Sequence, residues 1–209
     1  MKKIKQILFI TCLALIGPMA NAQSGFTISA SQQYSSFKFK DSEALKLNSE
    51  YSGLFTGGYG IGYNFISESG FMVGVGIGIR NAGANLVYDD MNYSWKLQYG
   101  DIRPKMGYVF KINKINPYLA ISGYFAYLLR GTQTLNNENF NITDSGLMER
   151  FDMGVILMPG VEFKLSDYVS AFTEFNYLWG LKNIETDADQ TASNYAYALT
   201  LGLTFTITK

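Results

Sequence analysis

The chain of 209 residues contains no histidine and a single cysteine, Cys12. Without histidine, a Ser–His catalytic pair and an imidazole metal site are both excluded. Because Cys12 lies in the N-terminal apolar segment, the rest of the chain has no thiol and no disulfide. No later segment is apolar for long enough to cross a membrane as a helix. Carboxylates, lysine, tyrosine and serine remain as the reactive groups.

The first 22 residues are typical of a cleaved secretory signal peptide. A basic start precedes a short apolar core at 7–16, and Ala20 and Ala22 provide a small-residue cleavage site. Without the three lysines of this segment, the 17 basic residues become 14, against 17 acidic residues. This balance is not the positive footprint of a nucleic-acid-binding protein. We therefore predict a signal peptide at 1–22 and one exported domain at 23–209.

A period of two runs through most of that domain. From Tyr51 to Phe65, every second residue is aromatic, aliphatic or glycine, and the residues between them are mostly small or polar. This alternation predicts strands with one wide apolar face and one small, partly charged face. Eight strands are predicted, at 25–36, 51–65, 71–80, 93–110, 117–130, 151–165, 168–181 and 194–208. An even number of strands is typical of closed outer-membrane barrels.

The predicted connections alternate in length. The short ones are 67–70, 111–116 and 166–167, and the long, polar ones are 37–50, 131–150 and 182–193. Short periplasmic turns and long outer loops are the asymmetry expected of such a barrel. The pattern therefore predicts an all-β, eight-stranded, antiparallel up-and-down transmembrane β-barrel.

The charged residues indicate which face looks outward. In six strands the odd positions carry no charged residue, whereas charges occur at the even positions between them. An arginine or lysine facing lipid costs about 2–4 kcal/mol at the bilayer midplane, so the odd face is predicted to contact lipid. The predicted interior charge network consists of Arg80, Arg130, Asp152, Glu162, Lys164 and Glu174. A barrel of eight strands is only wide enough to be filled by side chains, which predicts a lumen without an open pore.

Glu162 and Glu174 are predicted to face inward on neighbouring strands, which allows two interpretations. They could form a paired-carboxylate catalytic site. The simpler interpretation is a buried ion network, since inward charges need partners.

Aromatic residues are predicted to form two belts at the membrane interfaces. Those near the long loops are Tyr51, Trp95, Tyr127, Trp179 and Tyr195, and those near the short turns are Phe65, Phe71, Phe110, Phe163 and Phe205. The fourth strand changes its apolar phase, from odd positions through Tyr99 to even positions from Ile102. One extra residue would cause this change, so we predict a β-bulge near Gly100 and Asp101.

Five segments each have a characteristic order of residue classes. They are Leu97-Gln-Tyr-Gly-Asp-Ile-Arg-Pro104, Asn116-Pro-Tyr118, Phe151-Asp-Met-Gly154, Phe172-Thr-Glu-Phe-Asn-Tyr177 and the closing run 199–205. They resemble the small outer-membrane β-barrel proteins of the Bacteroidetes, the PorT-like group with an outer membrane protein beta-barrel domain. The resemblance implies an eight-stranded barrel in the outer membrane. It brings no catalytic residues.

We therefore expect a non-enzymatic integral outer-membrane protein that needs no cofactor and no metal. Its surroundings would be outer-membrane lipid, and a surface or periplasmic protein partner could meet the loops at 37–50 and 131–150. The alternative is a secreted, soluble, lipocalin-like barrel that binds an apolar small molecule and holds its apolar face inside. A third possibility, an enzyme acting through loop carboxylates, is made improbable by the absence of histidine.

Overall fold

A computed structural model describes residues 23–40, 51–88, 91–187 and 189–208. The predicted signal peptide at 1–22 and most of the predicted 37–50 loop lie outside the described residues. Within the described ranges, no helix is long and apolar enough to span a membrane.

The described residues form nine strands: β1 (Gln23–Lys40), β2 (Tyr51–Ile66), β3 (Phe71–Tyr88), β4 (Met91–Val109), β5 (Ile115–Leu135), β6 (Glu138–Asn141), β7 (Phe151–Lys164), β8 (Val169–Gly180) and β9 (Thr191–Thr208). The order in the sheet is β4-β3-β2-β1-β9-β8-β7-β5-β6, and β4 also pairs with β5. Every ladder is antiparallel. The β4–β5 pairing gives each of the eight long strands a partner on both edges.

The ninth strand arises from a segment that was predicted to be a loop. β5 continues to Leu135 and turns back through Asn136 and Asn137 into β6, a strand of four residues that pairs with β5. Both asparagines have positive φ, 45° and 71°. Two successive residues of this conformation make the type I′ turn that matches the twist of a hairpin, and asparagine tolerates it well.

The exposure of side chains follows the predicted alternation along most strands. On β9, Leu199 and Leu201 are exposed and Thr200 between them is buried. On β7, Met153 is exposed and Asp152 is buried. The outward apolar side chains of the eight long strands together form what we call the apolar wall.

The predicted bulge near Gly100 and Asp101 is wrong. The β3–β4 ladder runs without a shift over the whole length of β3. The odd residues at the start of β4 therefore face the same side as Asp101, which is the interior, and Tyr99 is fully buried. The irregularity lies instead in β5, where Leu129 is an extra residue between the partners of Gln98 and Tyr99. The prediction failed because it assumed that apolar residues face outward along the whole of β4.

Large inward side chains fill the interior opposite glycines. A Cβ atom at Gly160 would overlap the ring of Tyr118, and one at Gly202 would overlap the ring of Phe172. Each glycine is the ladder partner of the aromatic residue, so each ring lies over the neighbouring strand on the inward face, as expected of a narrow barrel filled by side chains.

Candidate functional site

The centre of the lumen is occupied by an arginine from β3. The Arg80 side chain is buried, with Nη2 3.1 Å from Asp152 Oδ2 and Nε 3.5 Å from Asp101 Oδ2. Its guanidinium lies between two rings, 4.9 Å from the centre of Tyr99 and 5.0 Å from that of Tyr124. Opposite charges and aromatic faces together compensate the loss of water around this cation.

Asp152 receives hydrogen bonds from three directions. Besides Arg80, the Tyr124 hydroxyl donates to Oδ2 at 3.1 Å and the Asn194 Nδ2 donates at 2.9 Å. Asp101 is shared, since Arg103 Nη2 also donates to its Oδ2 at 2.7 Å. These groups come from β3, β4, β5, β7 and β9, so the bonds run across the lumen. We call Arg80, Asp101, Arg103 and Asp152 the central ion network.

A second polar group lies nearer the short turns. The Tyr118 hydroxyl donates to Glu174 Oε2 at 2.9 Å, and Glu174 is buried. Between this pair and the central ion network is a cavity of about 70 Å³, whose charged lining residues are Arg103, Lys105 and Glu174. One water takes about 30 Å³ of liquid volume, so this space corresponds to about two waters.

The six residues that were predicted to form one interior network lie in three different environments. Arg80 and Asp152 are joined by an ion pair in the central ion network. Glu174 is buried and Glu162 is half-buried, both in the part of the lumen near the short turns. Arg130 is exposed and lies outside the network, whereas Lys164 is exposed but close enough to Glu162 for their charges to interact.

The exposure of Arg130 and of Lys164 has local causes. The extra residue Leu129 shifts the register of β5, so that Arg130 pairs with Gln98 and turns away from the lumen. Lys164 is the last residue of β7 and is still paired with Ser170, at the short-turn end of the sheet.

Sequence reasoning missed Asp101 and Asn194 as members of this site. Asp101 was assigned to a bulge, although its odd position would have placed it beside Arg80 in an unbroken β4. Asn194 lies at the start of the last strand, and no charge pattern distinguished it.

The mouth at the long-loop end is covered by two connections. We call residues 142–150 and 181–187 the loop cap. Ile142, Met148 and Ile184 are buried in the same cluster as Phe37 and Leu97.

The two halves of the loop cap are joined by polar contacts. The Glu149 amide donates to the Ile184 carbonyl at 2.9 Å, and the Thr186 hydroxyl donates to the Gly146 carbonyl at 2.6 Å. An ion pair of 2.8 Å connects Lys182 Nζ with Glu149 Oε2. The cap is therefore a packed structure that covers part of the mouth.

Beside the loop cap, aromatic rings pack against one another at the ends of β1, β2 and β4. Phe37 and Phe39 are buried, and Tyr51 and Trp95 lie against them with ring centres 5.4 to 6.3 Å apart. Tyr51 and Trp95 were predicted to belong to the outer belt, and the structure corrects this placement, because both pack against the core. Trp95 lies on the same inward face of β4 as Leu97 and Tyr99, whereas Tyr51 is turned inward by the register shift between Gly53 and Gly58 in β2.

The other predicted belt residues are distributed along the outer surface. Those that are exposed are Tyr127, Trp179, Phe71, Phe110, Phe163 and Phe205. Tyr195 and Phe65 are half-buried, since each packs on a neighbouring tyrosine ring, Tyr197 and Tyr63 respectively.

Within the part of the chain that the structure describes, no three carboxylates are grouped so that they could hold a metal ion. The buried carboxylates are engaged by arginine, tyrosine or asparagine donors. The geometry is that of a filled, crosslinked interior.

Comparisons with known proteins agree with this architecture. A family model described as outer membrane protein beta-barrel domain matches residues 20–185. Neisserial surface protein A superimposes with a TM-score of 0.52 at 11% identity, covering 87% of this chain and 97% of that one. The outer membrane protease OmpT from Escherichia coli gives 0.51 at 8% identity, covering 90% and 98%. These identities show the fold alone, and no curated protein sequence matches the chain.

Proposed function

Because the chain belongs to the outer membrane protein beta-barrel domain family, we propose that it is a non-enzymatic integral protein of the outer membrane. Its eight long strands form the closed wall, the lumen conducts no solute, and the function resides in the wall and in the structures at the long-loop end. Residues 1–22 serve as the signal peptide. The spacing of residue classes supports assignment to the Bacteroidetes, PorT-like type.

The observation that carries this proposal is the apolar wall. Large hydrophobic side chains stay exposed on all eight long strands, including Ile28, Tyr59, Ile77 and Phe125. Monomeric soluble proteins rarely expose a contiguous apolar patch larger than a few hundred Å². Acyl chains are the surroundings in which such a wall is stable, and a closed ladder satisfies the backbone there.

The lipocalin-like alternative requires the opposite arrangement. A soluble barrel with an apolar ligand would hold its apolar side chains inside and its charges outside. Here Arg80, Asp101 and Asp152 are inside, and leucines and isoleucines are outside. The polar cavity of about 70 Å³ between the central ion network and Glu174 is far smaller than a drug-sized ligand site.

The sealed lumen follows from two separate barriers. The central ion network crosses the middle of the lumen, and the loop cap packs Ile184 and Met148 into the mouth. A solute would have to break buried ion pairs as well as an apolar contact.

Interaction with a partner is assigned to the long-loop end. The β5–β6 hairpin presents Phe140, and the cap presents Leu147; both are exposed. Loops that are positioned by a rigid scaffold commonly carry binding residues. A surface protein is the class of partner that this end fits.

Membrane insertion and conductance test the proposal together. The protein is expected to remain in the membrane fraction after a carbonate wash and to migrate differently on a detergent gel before and after boiling. In a planar bilayer, the same heat-modifiable sample is expected to give no conductance steps above those of lipid alone. A soluble fractionation would contradict the membrane assignment, and stable single-channel steps would contradict the sealed lumen.

A further inference from the structure

A groove on the outer surface lies where the ends of β1 and β8 meet the start of β9. It has a volume of about 510 Å³. The polar side chains around it are Lys38, Lys40, Lys182, Asn183, Thr191 and Ser193. All three charged residues in this lining are lysines. We call it the lysine groove.

The lysine groove sits at the edge of the apolar wall. Lys38 pairs in the ladder with Ser193, and its Nζ lies 4.8 Å from the centre of the Trp179 ring and 5.6 Å from that of Tyr195. Tryptophan and tyrosine mark the level of lipid headgroups on membrane proteins. The amines of the groove are therefore at headgroup height, directly beyond the acyl-chain region.

Among the described residues, the salt bridges give the groove lysines one carboxylate partner. Lys182 forms an ion pair with Glu149. Among the described residues, neither Lys38 nor Lys40 has a carboxylate within ion-pair distance. In the part of the chain that the structure describes, one of the three groove lysines is therefore in an ion pair.

We propose that the lysine groove binds the phosphate group of a lipid in the outer leaflet, an inference that rests on the outer-membrane location. Lysine ammonium groups bind phosphate as compact point charges. Below the groove the wall continues through Tyr197 and Leu199, both exposed. That surface fits the acyl chains of the same molecule, which favours a phospholipid or phosphorylated glycolipid over free phosphate.

Binding of lipid A to the refolded protein in detergent micelles tests this inference. The variant combines Lys38→Gln, Lys40→Gln and Lys182→Gln, and the matched control combines Lys96→Gln, Lys111→Gln and Lys114→Gln at exposed or turn positions elsewhere. Each lysine near an anionic headgroup contributes about fivefold in affinity, so the groove variant is expected to bind diphosphorylated lipid A on the order of a hundredfold more weakly. The control removes the same charge away from the groove, so its affinity is expected to stay within about twofold.

Two further ligands separate the possible sources of phosphate. Dephosphorylated lipid A is expected to bind the unaltered protein as weakly as lipid A binds the groove variant. Inorganic phosphate is expected to bind far more weakly than lipid A. Equal losses in groove variant and control, or tight binding of free phosphate, would overturn the inference.

The boiled and unboiled gel, run on each sample, shows whether the barrel is folded. If the unaltered protein shows no gel shift, the proposed function fails. If all proteins shift and lipid A binding is unchanged in the groove variant, only the lipid site fails. Lys40→Gln alone, at an exposed strand end, provides a second folded variant, with an expected loss of about fivefold.

Discussion

Replacing Leu199 with arginine is expected to lower the free energy of unfolding by about 2–4 kcal/mol. Leu199 lies in the middle of β9, and its partners, Gln32 on β1 and Phe175 on β8, are also central in their strands. Its side chain is 55% exposed, so the arginine would meet no steric barrier. The penalty arises only if the surroundings are acyl chains, which cannot solvate the guanidinium. Urea unfolding of the protein in lipid vesicles measures it.

Val87→Arg is the matched control for this substitution. Val87 is 65% exposed at the long-loop end of β3, and Asn81 and Asn85 separate it from the other apolar side chains of the wall on that strand. A surface substitution in water is usually within about 0.5 kcal/mol of neutral, and this result is expected for Val87. Equal effects at the two sites would show that β9 faces water, as the lipocalin-like alternative requires.

Asp152→Ala is expected to have the largest effect in the interior, a loss of about 3–5 kcal/mol of unfolding free energy. The substitution removes the acceptor for Arg80, Tyr124 and Asn194 at once. Asp101 remains, but it is already shared with Arg103, so two arginines would depend on one carboxylate. Urea unfolding in vesicles, with gel migration as the readout, gives the change in stability.

Two further variants identify the cause of this loss. Asp144→Ala breaks an exposed ion pair with Arg150, in which the Asp144 side chain is 82% exposed, and is expected to cost less than about 1 kcal/mol. Arg80→Met combined with Asp152→Ala removes both buried charges and is expected to recover most of the stability. If the double variant were less stable than Asp152→Ala alone, the buried charge would not be the reason for the loss.

The alternation of residues was sufficient to predict the two faces of most strands. On β7, β8 and β9, the odd positions that were assigned outward include Leu157, Phe175 and Leu201, which the structure leaves exposed. This succeeds because a strand has a strict period of two, and because a charge is strongly disfavoured on one face only.

The same reasoning failed where the interior itself becomes apolar. Trp95, Leu97 and Tyr99 are as hydrophobic as the residues of the wall, yet they face inward against Phe37 and Ala84. Sequence alternation reports which face is apolar, and it cannot distinguish lipid from a packed core. For this reason, the predicted position of the bulge was wrong.

The long loops were the least predictable part. The Asn136-Asn137 pair is a hairpin signal, but its flanking strands are polar and resemble a solvated loop. The packing of Ile184 into the mouth depends on contacts with a segment about forty residues away. Such contacts are set by tertiary packing and leave no local pattern.

The most direct test of the account is the depth of single labels on its outward face. Residues beyond position 22 include no cysteine, so Leu157→Cys and Leu147→Cys each create a unique site for a fluorescent label. The two side chains are similarly exposed, 46% and 53%, but Leu157 is in β7 and Leu147 is in the loop cap. In bilayers with brominated acyl chains, we expect strong quenching at Leu157 and none at Leu147, and the reverse with aqueous iodide. Iodide quenching at Leu157 without quenching by brominated lipid would contradict the assignment of the apolar wall to the membrane.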